Sequence, residues 1–469
     1  MTQTMGWAQD EFGGAGLGDI RRTRRLVMMA AAVARAPSGK VSSVFSRTKE
    51  REGAYDFLES PHVEVDAIAK SIFAATATRA HGLEYAYVVI DGSSLSLSDT
   101  KGTKGFGPVG TRTQKANGLV VNTALAVSND GAPLGIIDQA FWNRRPTLDL
   151  TKTEVWQRNQ ERDFSEKEPA EIVRSAERSI QLLRAEGVQS WIVVDRVADN
   201  RDILLALSKA SCVFTVRATY DRHLSEHKRL RAELAAEPVL GHYRIQVPRT
   251  GKRAAREAEI EIRAKRVELL FRDRLNKHTE RLKLTAVWLH EPSSEKNALD
   301  WMLYTNAPVD SADQCRRIVQ AYRTRWRIEE FHRTWKQGHC NVEDAQLRSP
   351  DAVAKWAIIL GAVAARIERL KYVSRTDPQA PALGTLSELE IEVLQLDQRQ
   401  RRTKQPRRKK LVSLNKITIA QATHWIAELG GWIGKANGPP GSITLARGLE
   451  RLAYLAEGVA LARAAGPAK

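Results

Sequence analysis

Two apolar runs that each stop at an aspartate do most to constrain what this chain can fold into. "YAYVVID" closes on Asp91 and "SWIVVD" closes on Asp195. Short runs rich in β-branched and aromatic residues read as buried strands. Between them, "GLVVNTALAVSNDGAPLGIIDQAFW" reads as two strands around an Asn129-Asp130-Gly131 turn, a good hairpin signal. The helical stretch "EPAEIVRSAERSIQLLRAEG" follows the hairpin, and a further strand, "CVFTVRA", follows Asp195 at 212–218. This is α/β order, and the hairpin makes the sheet mixed. A carboxylate at the open end of a buried strand is a common seat of function in such sheets. Either aspartate alone reads more readily as an ordinary turn or capping residue.

The flanking regions have a different texture. Residues 1–66 read as short helices, and "GDIRRTRRLVMMAAAVARAPSGK" sets Arg21, Arg22, Arg24, Arg25 and Arg35 beside an apolar stripe that ends at Pro37-Ser38-Gly39. A basic helix of this kind can be a solvated face, a membrane-surface helix or a DNA-reading element. The stripe has no aromatics, which makes the membrane reading the weakest. Across 220–310, "GHYRIQVPRT", "EAEIEIRAKRVELLF", "RLKLTAVWLHE" and "LDWMLYTNAPV" alternate at period two, as antiparallel strands of an inserted β-rich subdomain would. A helix is expected over 311–337. "RQRRTKQPRRKK" at 399–410 reads as a solvated, flexible basic loop, and a compact helical tail closes the chain.

Charge narrows the class of partner. The 469 residues carry 73 Lys and Arg against 55 Asp and Glu, a net charge of +18. Clustered cations displace counterions from a phosphate backbone, so a polyanion is the favoured partner, although basic charge can also serve solubility. A hydrophobic content of 42% excludes a disordered chain. The N-terminus lacks a basic segment followed by an apolar one, so it does not read as a secretory signal. The longest apolar run, "WAIILGAVAA" at 356–365, is too short to span a bilayer. Cys212, Cys315 and Cys340 are isolated and form no C-x-x-C pair. Together these features place the chain in a reducing compartment, the cytoplasm, with no membrane partner.

The segment "YRTRWRIEEFHRTWKQG", starting at Tyr322, carries the third acidic group. At about 100° per residue, Tyr322, Arg325, Glu329 and Lys336 share an arc of about 60°, while Phe331 and Trp335 point the other way. The ordinary reading is an amphipathic helix with charge pairs one turn apart. The sharper reading joins Glu329 to Asp91 and Asp195 as three hard oxygen ligands with no soft partner. That set suits Mg²⁺ or Mn²⁺, not zinc. Two such ions can activate a water and stabilise the leaving oxygen in phosphodiester cleavage.

The same segment resembles the Tyr-(2)-Arg-(3)-Glu-(6)-Lys signature of the insertion-sequence-four family of transposases. "GDIRRTRRLV", "EGAYDFL" and "LGGWIG" extend the likeness over nearly the whole chain. The resemblance implies an α/β fold with a ribonuclease H-like mixed-sheet catalytic core over 67–370 and an antiparallel β insertion at about 220–310. It also implies an N-terminal helical end-binding domain over 1–66 and a C-terminal helical dimerisation domain over 371–469. It makes Asp91, Asp195 and Glu329 the catalytic, metal-binding triad, with two Mg²⁺ or Mn²⁺ ions per active site. Tyr322, Arg325 and Lys336 are expected to grip the DNA end, with Arg217 as a further contact. Trp301 is expected to stack on a flipped base, and Arg21, Arg22, Arg25 and Arg35 to bind end DNA.

The implied activity is cut-and-paste transposition of double-stranded DNA by a homodimer in the nucleoid. A nick frees a 3′-hydroxyl, which makes a hairpin; the hairpin is hydrolysed and the end attacks target DNA. The chain departs from the family at Val197, where an acidic residue is expected, and at Gly92-Ser93, where a polar pair is expected. Each role has an ordinary counterpart: a core tryptophan at 301, surface charge at 217. His332, His339 and Cys340 lack a fourth ligand at usual zinc spacing, and "SSLSLS" lacks a nucleophile elbow. Two rival functions stand beside the enzyme. A catalytically silent DNA-binding protein would keep the fold without the chemistry, and a carboxylate-pair sugar hydrolase would leave the +18 charge unexplained.

Overall fold

The computed structural model describes residues 4–110, 116–144, 151–224, 228–247, 255–272, 279–293, 298–383, 385–402, 413–434 and 438–465. Five helices come first: α1 (Thr4–Phe12), α2 (Ile20–Arg35), α3 (Val41–Val44), α4 (Thr48–Glu59) and α5 (Val65–Ala80). Asp19 starts α2 by accepting the backbone N–H of Arg21 at 2.8 Å. Leu26, Val27, Met29, Ala30 and Val33 then turn inward, which leaves Arg21, Arg24 and Arg25 exposed.

The sheet is built from β1 (Tyr85–Ser96), β2 (Gly107–Val109), β3 (Ala116–Val127) and β4 (Pro133–Trp142). After α6 (Lys152–Glu161) and α7 (Ala170–Ala185) come β5 (Gln189–Val194), α8 (Arg201–Lys209), β6 (Val213–Arg217) and α9 (Leu230–Ala235). Four strands complete it: β7 (Gly241–Val247), β8 (Arg256–Arg272), β9 (Thr279–His290) and β10 (Asp300–Thr305). Their order is β2-β3-β1-β5-β6-β10-β9-β8-β7, with β4 also on β3. Among the described strands only β1, β5 and β6 run parallel to one another. The expected Asn129-Asp130-Gly131 turn joins β3 to β4, with Gly131 at φ 94° where a side chain would be strained.

The helical remainder is α10 (Ala312–Thr324), α11 (Trp326–Arg333), α12 (Pro350–Thr376), α13 (Glu388–Arg402), α14 (Ile419–Leu429) and α15 (Ser442–Ala465). Strand alternation sorts β1 and β5 between two cores. Tyr87, Val89, Trp191 and Val193 face Phe331, Trp335 and α12 together with the N-terminal helices. Val88, Ile90, Ile192 and Val194 face α7 and α8 on the other side. Helices α13 to α15 bury a cluster of their own around Ile391, Leu394, Ile426 and Leu452. This is the mixed α/β architecture expected of a ribonuclease H-like core with helical flanks.

Three local features differ from the sequence reading. First, β1 does not end at Asp91. Strand β5 pairs with it only over Tyr85–Ile90, but β3 stays paired as far as Ser96, so long-range pairing extends a strand whose polar end looked like a loop. Second, the β insertion is continuous with the core sheet, because Leu303 and Tyr304 of β10 pair with Arg217 and Val216 of β6. Third, the helix expected over 311–337 breaks at Arg325 and finishes in a wider π turn, Thr334–Gly338.

The expected divisions at 66/67 and 370/371 fall inside α5 and α12. Of the basic stretch 399–410, residues 399–402 close α13 and the rest lies outside the described residues. No helix among the described residues is long and apolar enough to cross a membrane.

Candidate active site

Parity along β1 and β5 decides where the two aspartates point. Asp91 follows Tyr87 and Val89 at odd positions of a continuing strand, and Asp195 follows Trp191 and Val193, so both lie on the face covered by α10 and α11. Asp195 leaves the strand by capping a short turn, its Oδ1 accepting the Val197 N–H at 2.9 Å. Glu329 comes from the first turn of α11.

These three carboxylates converge on one guanidinium. Arg325 Nη2 lies 3.6 Å from Asp91 Oδ2 and 3.5 Å from Asp195 Oδ2. Its Nη1 donates to Glu329 Oε1 at 2.9 Å. Asp91 is the deepest of the three acids and Glu329, at 38% exposure, opens the site to solvent. Burial pushes the Asp91 carboxyl up to about 7; Arg325 opposes that rise, and the charges of Asp195 and Glu329 add to it. Burial works against the charge of Arg325, and the surrounding carboxylates outweigh it, so its pKa rises.

The donor set fits a hard divalent cation. Three carboxylates and no thiolate face a point already held by positive charge. Among the described residues no three His, Cys, Asp or Glu side chains close up as a ready-made metal cluster, since the acids close on Arg325 instead.

Around the acids the expected row divides. Tyr322 is buried edge-on against Trp301, with ring centroids 5.7 Å apart. Burial raises its phenol pKa, and Arg217 hydrogen-bonds it. Arg217 and Trp301 therefore share one wall with Tyr322, and Trp301 is half-buried. Lys336 is not among the groups gathered by Arg325. The break at Arg325 and the π turn displace it from an ideal helical arc. Its Nζ donates to the Ser94 carbonyl at 2.7 Å, on β1 beyond Asp91.

Of the N-terminal arginines, Arg21 is exposed and paired with Asp19 at 2.9 Å. Arg25 is exposed beside Gly53, where a Cβ would sit 2.9 Å from its guanidinium. Arg22 is engaged inside the fold, donating to the Leu17 carbonyl at 3.1 Å. Arg35 pairs with Glu457 of α15 at 3.1 Å.

Two residues near the site escaped the sequence reading of its chemistry. His332 is buried with Nδ1 3.9 Å from Asp91 Oδ2, and burial, then Lys336 and Arg325, hold its pKa down at about 3. Its spacing from Glu329, one helical turn on, is the sequence signal that places it beside the acids. Trp326 is 56% exposed directly after Arg325. The helical wheel already turns Trp326 away from the buried Phe331 and Trp335, and that was the usable signal for its exposure.

Comparison with known families adds two matches. Residues 4–63 match the family described as transposase DNA-binding, a span that includes α1 to α4 and Arg21, Arg22, Arg25 and Arg35. Residues 174–366 match the transposase DDE domain, which takes in Asp195, Arg217, Trp301, Tyr322, Arg325, Glu329 and Lys336 but begins after Asp91. Among solved structures, a cryo-EM piggyBac transposase synaptic complex with hairpin DNA is similar over 70% of this chain, at 12% identity and a TM-score of 0.33. The chain spans about half of that protein's length, 54%, and so loose an overlap carries no argument.

Proposed function

We propose that this chain, which carries a transposase DNA-binding region and a transposase DDE domain, cuts and rejoins DNA at transposon ends by cut-and-paste chemistry. The observation that carries the reading is the convergence of Asp91, Asp195 and Glu329, from two strands and a helix, on Arg325. In this reading the three carboxylates hold Mg²⁺ or Mn²⁺, two ions per site. When bound, such ions activate a water or hydroxyl and stabilise the leaving oxygen.

The remaining groups would bind and orient DNA. Arg325, Tyr322 and Arg217 offer donors to a phosphate, and Lys336 adds a cation beyond Asp91. Trp301 and the exposed Trp326 offer flat faces for an unstacked base. Arg21 and Arg25 face outward for the backbone of a duplex. Exposed Tyr454, Leu455 and Leu461 on α15 offer an apolar face for pairing two protomers. Within the DDE transposases, the Tyr322-Arg325-Glu329-Lys336 spacing favours the insertion-sequence-four family, near the transposon-five transposase.

The hairpin route is checked directly. A duplex bearing an end sequence selected by the protein from a random library is end-labelled and incubated with Mg²⁺. Nicked strand followed by a hairpin on a denaturing gel is the expected series. Double-strand breaks formed without any hairpin would leave the nuclease reading and remove the hairpin step. No metal-dependent cleavage at all would favour the silent DNA-binding protein.

A further inference from the structure

Beyond Ile90, strand β1 has no strand partner on its β5 side among the described residues, because β5 stops at Val194. The Leu97 N–H donates to the Asn117 carbonyl of β3, so alternation turns the backbone groups of Ser94 and Ser96 to the opposite edge. Two side chains meet that bare edge in place of a strand. Lys336 Nζ donates to the Ser94 carbonyl at 2.7 Å, and the Ser96 N–H donates to Glu343 Oε1 at 2.8 Å. The same Oε1 lies 3.4 Å from Lys336 Nζ, which closes a ring of ammonium, carboxylate and strand edge.

Glu343 is presented from a stiff support. It sits in a single 3₁₀ turn, Val342–Asp344, entered through Asn341 at φ 45°. Cys340, Val342 and Ala345 anchor that turn in the core. Gly39 packs against it so closely that a Cβ there would lie 2.0 Å from the Asn341 carbonyl oxygen. Lysine, by contrast, is a point charge on a flexible stem and loses its geometry when one partner goes.

We propose that Glu343 is a positioning residue that pins the Lys336 ammonium to the Asp91 strand and so sets where a DNA phosphate is held relative to the carboxylates. This rests on the reading of Lys336 as a phosphate contact. Glu343→Gln isolates the effect, since its amide oxygen still accepts the Ser96 N–H while the charge that holds Lys336 is gone.

The test is a double-mutant cycle in full-length protein: wild type, Glu343→Gln, Lys336→Ala and the double variant. Single-turnover cleavage is read with Mn²⁺ at saturating concentration of a fluorescent duplex whose end sequence the wild-type protein selected from a random library. Binding to the same duplex is read by anisotropy in EDTA, and folding by thermal melting. Glu343→Gln should slow cleavage on the order of tenfold, as misplacement of a contact does, with binding within about twofold and melting unchanged. That loss should disappear in the Lys336→Ala background, because the residue acts through the lysine. Wild-type cleavage by Glu343→Gln alongside a slow Lys336→Ala would overturn the inference alone. So would losses that simply multiply in the double variant, the result of a general structural role. Normal cleavage by Lys336→Ala would instead bring down the reading of Lys336, and the inference with it.

Discussion

Asp91 is where the site's physics is most exposed to measurement. Its carboxyl is raised to about 7, chiefly by burial. The folded chain therefore keeps a proton that the unfolded chain has already released between the ordinary carboxylate range and neutrality. Stability of the metal-free protein should fall as pH rises through that window and level off above it. Asp91→Asn removes the ionisation, so in EDTA its melting temperature should gain on wild type between pH 5 and pH 8. An identical difference at both pH values would contradict the burial account.

Trp301 offers a second test at this scale, because it is half-buried and touches Tyr322. Trp301→Ala should nick nearly normally and fail at later steps, with a loss of about 1–3 kcal/mol for a missing base stack. Normal hairpin formation, or a large drop in melting temperature, would make it a core residue.

At the scale of elements, the two strands, the hairpin and the basic helix were legible because each depends on local pattern. The sequence placed Asp91 and Asp195 only at strand ends, and their shared face became visible once β1 and β5 were paired in register. The length of β1 was not legible, since Ser93, Ser94 and Ser96 become strand through pairing with Val121, Val120 and Gly118 of β3. The Lys336 position was also hidden, because an ideal helical wheel knows nothing of a π turn.

Helix α2 shows the same division between pattern and context. Its basic face was legible, but its arginines were equal in the sequence and are not equal in the fold. Replacing the exposed Arg21 and Arg25 by Ala should weaken DNA binding and reduce the salt slope by about one unit per lost phosphate contact. An unchanged affinity and slope would take this face out of the DNA interface.

At the scale of the whole molecule, a lysine that no motif flagged ties the N-terminal helices to α12. Lys355 of α12 is fully buried, and its Nζ donates to the carbonyls of Leu58 at 3.0 Å and Ser60 at 2.9 Å at the end of α4. Lys355→Ala strips the buried Leu58 carbonyl and the half-buried Ser60 carbonyl of their donor, leaves Asp351 without its ion-pair partner, and should cost about 3 kcal/mol of stability, read by denaturant unfolding. A loss under about 1 kcal/mol would mean that the N-terminal helices do not depend on this tie.

The central claim is that three acids from distant parts of the chain form one metal-dependent cutting site. It is tested most directly by Glu329→Gln, which keeps the size of the side chain and the helix but withdraws one charged oxygen ligand. Purified variant and wild type are compared for Mg²⁺-dependent cleavage of the selected end duplex, with anisotropy as the binding control. The predicted result is lost cleavage with binding near wild type. A Glu329→Gln protein that cuts at the wild-type rate would reduce Glu329 to half of a surface ion pair with Arg325.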